Sequence, residues 1–229
     1  MNFKLISLAI YSTYITNKFG LLLKKAKTTA LKMDLRNIYA NTLLKKLNIT
    51  LDIKNKEKLP KDGKFLLISN HKSIIDPLIV EKALEQTEIR GYWIAKKELY
   101  NSFFFGMFTR NAGSILLDRE SKNMSSFFKD VKDVVKEGQS IFIFPEGTRN
   151  KEDTPISTFK EGARLIALKN RLAILPIYIK TNANVVLKEA INKGTKDLVI
   201  EVEIGDIIEY KDKTPLEENY RKIFELNKN

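Results

Sequence analysis

Apolar and polar positions divide the chain into two textures. Residues 1–24 and roughly 28–47 read as two helices, the second with Leu31, Leu35, Ile38, Leu43 and Leu47 set among lysines. After Asn48, short apolar runs alternate with stretches of helical spacing. The strand candidates are Lys64–Ser69, Gly91–Ala95, Ser114–Leu117, Ser140–Phe144, Ala173–Lys180 and Leu198–Ile204. Most are continuous apolar runs, the pattern of strands buried on both faces. Met124, Phe127, Phe128, Val131, Val134 and Val135 have helical spacing, with Gly138 as a stop. Thr158 with Glu161 forms a capping-box pattern that opens a helix to about Lys169. Thr214-Pro215-Leu216-Glu217 repeats the pattern, with proline at the first helical position of a C-terminal helix. The lysine-rich stretch Lys54–Lys64 reads as a solvated connection.

This alternation predicts an α/β fold: a mixed, largely parallel sheet covered by helices, preceded by a two-helix N-terminal segment. The change of texture sets the domain boundary, with a helical, membrane-associating segment at 1–47 and one α/β domain at 48–229. Leu5 to Asn17 carries no charge. It is shorter than the about 20 apolar residues needed to span a bilayer. Its polar residues Ser7, Ser12, Thr13 and Thr16 do not gather on one helical face, so it is not a clean amphipathic helix. No small-x-small cleavage site follows before Lys18. The segment is read as a short, partly embedded anchor helix; the alternative is a helix packed on the domain.

Composition sharpens this picture. The chain has no cysteine and one histidine, which excludes disulfides and thiolate metal sites and argues against zinc. Its net charge of +12 is concentrated at the start, where residues 1–47 hold nine lysines and arginines against Asp34 alone. A basic, apolar N-terminus suits an anionic surface; lipid headgroups and nucleic acid both qualify.

The single histidine sits in Asn70-His71-Lys72-Ser73-Ile74-Ile75-Asp76-Pro77, just past a strand's carboxyl end, where open α/β sheets place ligands. Asp76 cannot pair with His71 along one continuous helix, because five residues leave the side chains roughly 140° apart. The segment must bend, and Asp76-Pro77 suits a bend. Ser73 is a candidate cap for the turn. Asp76 would hold one imidazole nitrogen, freeing the other to take a hydroxyl proton. A second segment, Phe144-Pro145-Glu146-Gly147-Thr148-Arg149, follows the run Ile141–Ile143. Gly147 lets backbone approach a ligand, and Arg149 offers a charged fork for phosphate or carboxylate; a structural Glu146–Arg149 ion pair is the alternative. Arg119 and Lys96 follow two further strand candidates. Three cations at three strand ends near one imidazole suggest an anionic substrate carrying a hydroxyl, most economically a phosphate ester.

With these blocks in place, the chain resembles the glycerolipid acyltransferases, in particular the bacterial 1-acyl-sn-glycerol-3-phosphate acyltransferases. Asn70-His71 through Asp76 looks like the family's HxxxxD block, and Gly113-x-Ile115-x-x-x-Arg119 like the second. Phe144 to Arg149 matches the third, FPEGTR, in full, and Ile174-Leu175-Pro176-Ile177 looks like the fourth. Ala95-Lys96-Lys97-Glu98-Leu99 and Phe159-Lys160-Glu161-Gly162-Ala163 are also similar. The likeness covers about residues 50–205 and makes 48–229 an acyltransferase domain. It implies that His71 is the general base on the sn-2 hydroxyl of lysophosphatidate and that Asp76 supports it. Lys96, Arg119 and Arg149 would grip the phosphate. Glu146, Gly147 and Thr148 would join in substrate binding, with an oxyanion donor near Gly147. The donor would be an acyl thioester on acyl carrier protein (acyl-ACP) or coenzyme A (acyl-CoA). No metal or other cofactor and no acyl-enzyme is expected, and there is no G-x-S-x-G elbow. The implied location is the cytoplasmic face of the cell membrane, peripheral or monotopic, against anionic lipid.

Rival readings keep the site and change the acceptor, to glycerol 3-phosphate or another lysolipid, or change the donor to a phospholipid. A basic nucleic-acid-binding module is a further rival. Phe103-Phe104-Phe105 and Phe127-Phe128 sit in apolar contexts that suit core or membrane burial better than base stacking, so no nucleic-acid partner is expected.

Overall fold

The computed structural model describes residues 3–118, 124–193 and 197–226. Helices α1 (Phe3–Lys25) and α2 (Thr29–Lys46) come first. Thr28 caps α2 by accepting the Leu31 N–H at 3.2 Å, and Asn48, in the left-handed region, turns the chain after it. A seven-stranded sheet follows: β1 (Ile49–Lys54), β2 (Leu66–Ser69), β3 (Gly91–Lys96), β4 (Ser114–Leu117), β5 (Ser140–Ile143), β6 (Ile174–Ile179) and β7 (Leu198–Ile204). Its order is β1-β7-β6-β2-β5-β3-β4. Every neighbouring pair is parallel except β6–β7. The mixed, largely parallel sheet and the two leading helices are as the sequence predicts.

Helices cover both faces. Leu67, Phe142 and Leu175 face one core with α2, α3 (Asp76–Ala83) and α8 (Ala183–Asn192). Leu66, Ile68 and Ile141 face the other with α6 (Ser125–Lys136), α7 (Glu161–Asn170) and α9 (Leu216–Ile223). Between β3 and β4 lie the short helices α4 (Lys97–Tyr100) and α5 (Gly106–Asn111). The hairpin shares this core: Met33, Leu44 and Leu47 pack with the sheet, while Ile15 and Phe19 of α1 pack on Tyr39 and Leu43. The outer side of α1 is apolar too, with Ile6, Ile10, Tyr14 and Leu21 exposed along one stripe. Apolar residues on both faces are why the helix lacks clean amphipathicity. Among the described residues, no helix is long and apolar enough to cross a membrane.

Three local expectations are corrected. Ile49–Lys54, which is not among the strand candidates, is a strand. Its alternating pattern fits a sheet edge that buries Ile49 against one core. Neither capping box forms. Helix α7 begins at Glu161, three residues past Thr158, because Phe159 is drawn into the core and its N–H donates to Glu217 at 3.0 Å. The same Glu217 also takes Arg221 at 2.9 Å, so it is unavailable to box with Thr214, and Pro215 sits at the cap of α9 rather than its first turn. Asp76-Pro77 opens a helix instead of bending one; proline needs no N–H partner in a first turn, and the bend falls before it.

Candidate active site

All five strands from β6 to β4 run the same way, so β2, β3, β4 and β5 end at one edge of the sheet. At the end of β2, buried Asn70 pairs with the Ile179 backbone of β6 in both directions, at 2.8 and 3.0 Å. This anchor turns the chain outward and sets His71 at the edge. Its Nδ1 lies 2.8 Å from Asp76 Oδ2. The same oxygen accepts the backbone N–H groups of Lys72 and Ser73, each at 2.6 Å. Asp76 is 1% exposed, so three donors fix a buried carboxylate. With Nδ1–H given to Asp76, Nε2 keeps its lone pair, as a general base requires. Ser73 Oγ accepts the Ile75 N–H at 3.4 Å, the turn contact expected of it.

The loop after β5 clamps the backbone of this histidine. Glu146 Oε1 accepts the His71 N–H at 2.7 Å, and the Asn150 N–H donates to the His71 carbonyl at 2.6 Å. Glu146 Oε2 takes the N–H and hydroxyl of Ser157 at 2.8 and 2.5 Å. Burial holds the Glu146 carboxyl above the ordinary carboxylate range, against the pull of its hydrogen bonds from Ser157 and His71. Phe144 stacks on the imidazole with ring centroids 4.0 Å apart and planes 10° apart.

Beside His71 opens a cavity of about 960 Å³. Lys96, Gly147, Thr148 and Arg149 line it, as does Lys160 with the first turn of α7. Leu5, Leu8, Tyr39, Leu43 and Phe108 line it on the hairpin side. The cavity wall therefore combines His71, the cations Lys96, Arg149 and Lys160 and the start of α7 with many apolar side chains, and Ser12, Thr16, Arg36 and Glu81 also line it. Its size is that of a small-molecule site.

Of the residues singled out from sequence, His71 and Asp76 meet, and Lys96, Gly147, Thr148 and Arg149 share the cavity wall. Arg119 lies outside the described residues. Asp118 pairs with Lys97 at 2.8 Å. Glu146 differs from the expected substrate contact: both its oxygens are taken by the protein beneath the cavity wall. It does not pair with Arg149 either, which faces solvent. The Gly147 N–H itself closes a turn on the Phe144 carbonyl at 2.9 Å, and the positive φ of 72° serves that turn. Asn70, Asn150, Ser157 and Lys160 were not given functional roles. Asn70 carried a signal as the residue before His71 in the first block, and Lys160 in the similarity of residues 159–163; the others act through tertiary hydrogen bonds that leave no mark in spacing.

Fold and site together define an α/β protein with a His–Asp dyad at the carboxyl edge of its sheet, opening on a cavity lined by several cations and many apolar side chains. The Acyltransferase family model matches residues 50–180, more than half of the chain, and the chain belongs to that family. Among curated relatives, the 1-acyl-sn-glycerol-3-phosphate acyltransferase of Helicobacter pylori strain J99 is 39% identical over 118 residues, 51% of this chain and 48% of that protein. The protein of the same name from Bacillus subtilis strain 168 is 32% identical over 146 residues, 64% and 69% of the two chains. The chain thus spans about half the length of several curated relatives it matches. The fold is that of the 1-acyl-sn-glycerophosphate acyltransferase PlsC from Thermotoga maritima, with a TM-score of 0.68 at 21% identity, covering 96% of this chain and 91% of that one.

Proposed function

We propose that this chain transfers an acyl group from a thioester to the sn-2 hydroxyl of 1-acyl-sn-glycerol 3-phosphate, forming phosphatidate for phospholipid synthesis. The observation that carries this is the His71–Asp76 pair, at 2.8 Å, with His71 on the wall of a cavity that Lys96, Arg149, Lys160 and many apolar side chains also line. Nε2 of His71 takes the hydroxyl proton as the oxygen attacks the thioester carbonyl. The C–O ester bond forms, the C–S bond breaks, and the thiolate leaves as a thiol after taking the proton from the imidazolium. The transfer balances without a metal, redox group or acyl-enzyme. Lys96, Arg149 and Lys160, with the N-terminus of α7, receive the phosphate; Arg119 is proposed to join them. The relatives' names support the acceptor.

The donor is acyl-ACP or acyl-CoA, and the basic balance of the chain suits either acidic carrier. The enzyme works as a peripheral or monotopic protein on the cytoplasmic face of the membrane, against anionic lipid, and has no nucleic-acid partner. The exposed apolar stripe of α1 supports membrane contact, as do Phe103 and Phe104, 85% and 53% exposed on the segment entering α5. The test is acyl transfer by the purified protein to lysophosphatidate, glycerol 3-phosphate and lysophosphatidylcholine, with acyl-ACP and acyl-CoA as donors. Phosphatidate formed from lysophosphatidate alone is the expected result. Preference for another acceptor overturns the substrate assignment, and no transfer with any pair overturns the reaction.

A further inference from the structure

Helix α3 reaches the imidazole of His71 by two routes. At its first residue, Asp76 holds Nδ1 at 2.8 Å. Farther along, Glu81 Oε1 accepts the indole N–H of Trp93 at 2.7 Å. The Trp93 ring lies against Phe144, with centroids 5.1 Å apart and planes 28° apart, and Phe144 in turn stacks on His71. Phe142 backs the indole edge-on at 5.4 Å. The contacts close a ring that starts and ends on α3.

The two routes restrain different motions. A single hydrogen bond at Nδ1 fixes one end of the imidazole and leaves it free to tilt about that contact. A parallel ring at 4.0 Å opposes the tilt, and it does so only while Phe144 is itself backed.

Glu81 is an expensive way to hold an indole. It is buried and faces Arg36 of α2, with Nε 2.8 Å from Oε1 and side chains 4% and 3% exposed. Arg36 also donates to the carbonyls of Ala112 at 2.7 Å and Gly91 at 2.9 Å. A buried ion pair is a weak source of stability compared with apolar packing. What it supplies here is a fixed acceptor for the indole N–H, tied to the seating of α2.

We infer that Trp93 is a positioning residue for the His71 imidazole, oriented by Glu81, and that the Arg36–Glu81 pair links the N-terminal hairpin to the catalytic geometry. This rests on His71 as the base, but its readout need not. His71 is the only histidine in the chain, so histidine-labelled protein gives one imidazole spin system by NMR. Trp93→Phe keeps an aromatic ring, removes the N–H and leaves the ion pair intact. Arg36→Met/Glu81→Met removes the polar link and keeps the core filled. Both are expected to shift the imidazole resonances as the shielding by Phe144 changes. Both should lower kcat about tenfold, the scale of a small misplacement of a reacting group, with KM for lysophosphatidate within about twofold of wild type. Resonances and kcat at wild-type values in both variants would overturn the inference, whatever their melting temperatures. If His71→Ala shows that histidine is not the base, the resonances alone decide whether Trp93 orients it.

Discussion

At the ends of β2 and β5, His71 is held by its N–H, its carbonyl, its Nδ1 and one face of its ring. Along the outer side of α1, by contrast, Ile10 and Tyr14 are 65% and 63% exposed. The first region uses buried, directional bonds in which each partner limits another. The second uses apolar area with no fixed partner among the described residues. Under the proposed function the difference suits two tasks: placing a proton acceptor to a fraction of an ångström, and resting on a surface whose molecules move. Substitutions in the two regions should therefore fail in different ways, through turnover in one and through surface binding in the other.

The largest effect is expected at the imidazole. His71→Ala should reduce kcat by about 10²–10⁴, the contribution of a positioned general base, with little change in lysophosphatidate affinity. Steady-state kinetics with acyl-ACP or acyl-CoA measures both. Near-wild-type turnover would remove His71 from the mechanism.

Glu146 tests whether the clamp is as costly to break as its bonding implies. Glu146→Gln turns an amide N–H₂ toward a backbone donor at either His71 or Ser157. Leaving a buried group without its partner costs about 1–3 kcal/mol, read by denaturant unfolding. This deficit should depend on pH. Burial raises the folded-state value of the Glu146 carboxyl, so its contribution is full below the unfolded value and lost as pH rises through the folded one. The gap between wild type and Glu146→Gln should therefore narrow from acid to neutral pH. A gap that widens would mean that the hydrogen bonds outweigh burial.

Arg149 stands between the regions, on the cavity wall but exposed. Arg149→Ala should raise KM for lysophosphatidate about tenfold, equivalent to 1.4 kcal/mol for a charge-assisted contact in partial solvent, and leave kcat nearly intact. An unchanged KM would deny Arg149 its role as phosphate ligand.

The directional region was also the less legible one. The dyad could be read because HxxxxD fixes a spacing, and Lys96 and Arg149 could be read because they follow apolar strand runs. Glu146 was read as a ligand from the family resemblance; here Ser157, eleven residues on, turns it inward. The two capping boxes were plausible locally and lost to one long-range tie, Phe159 to Glu217. β1 was missed because continuous apolar runs were sought, and an edge strand with one buried face alternates instead. Core strands, buried on both faces, announced themselves. What spacing does not encode is which loop a polar side chain reaches, since that depends on partners as far apart as Asn70 and Ile179.

The apolar region gives the smallest effect and the clearest separation. Ile10→Ser/Tyr14→Ser changes two exposed side chains, so folding stability should hold within about 0.5 kcal/mol. If both groups insert partway into lipid, their loss should weaken binding to phosphatidylglycerol vesicles by about 1 kcal/mol, or roughly fivefold. Turnover of a short-chain, water-soluble lysophosphatidate should be unaffected, because neither residue belongs to the dyad or the cation set. The nine basic residues of 1–47 add an attraction that salt screens, so raising the ionic strength should weaken binding of the wild type and the variant by the same factor. Vesicle sedimentation across a salt series separates the two contributions. A variant that binds like wild type at every salt concentration would show that charge and the exposed Phe103 and Phe104 suffice for lipid binding, and that the stripe on α1 serves some contact other than the membrane.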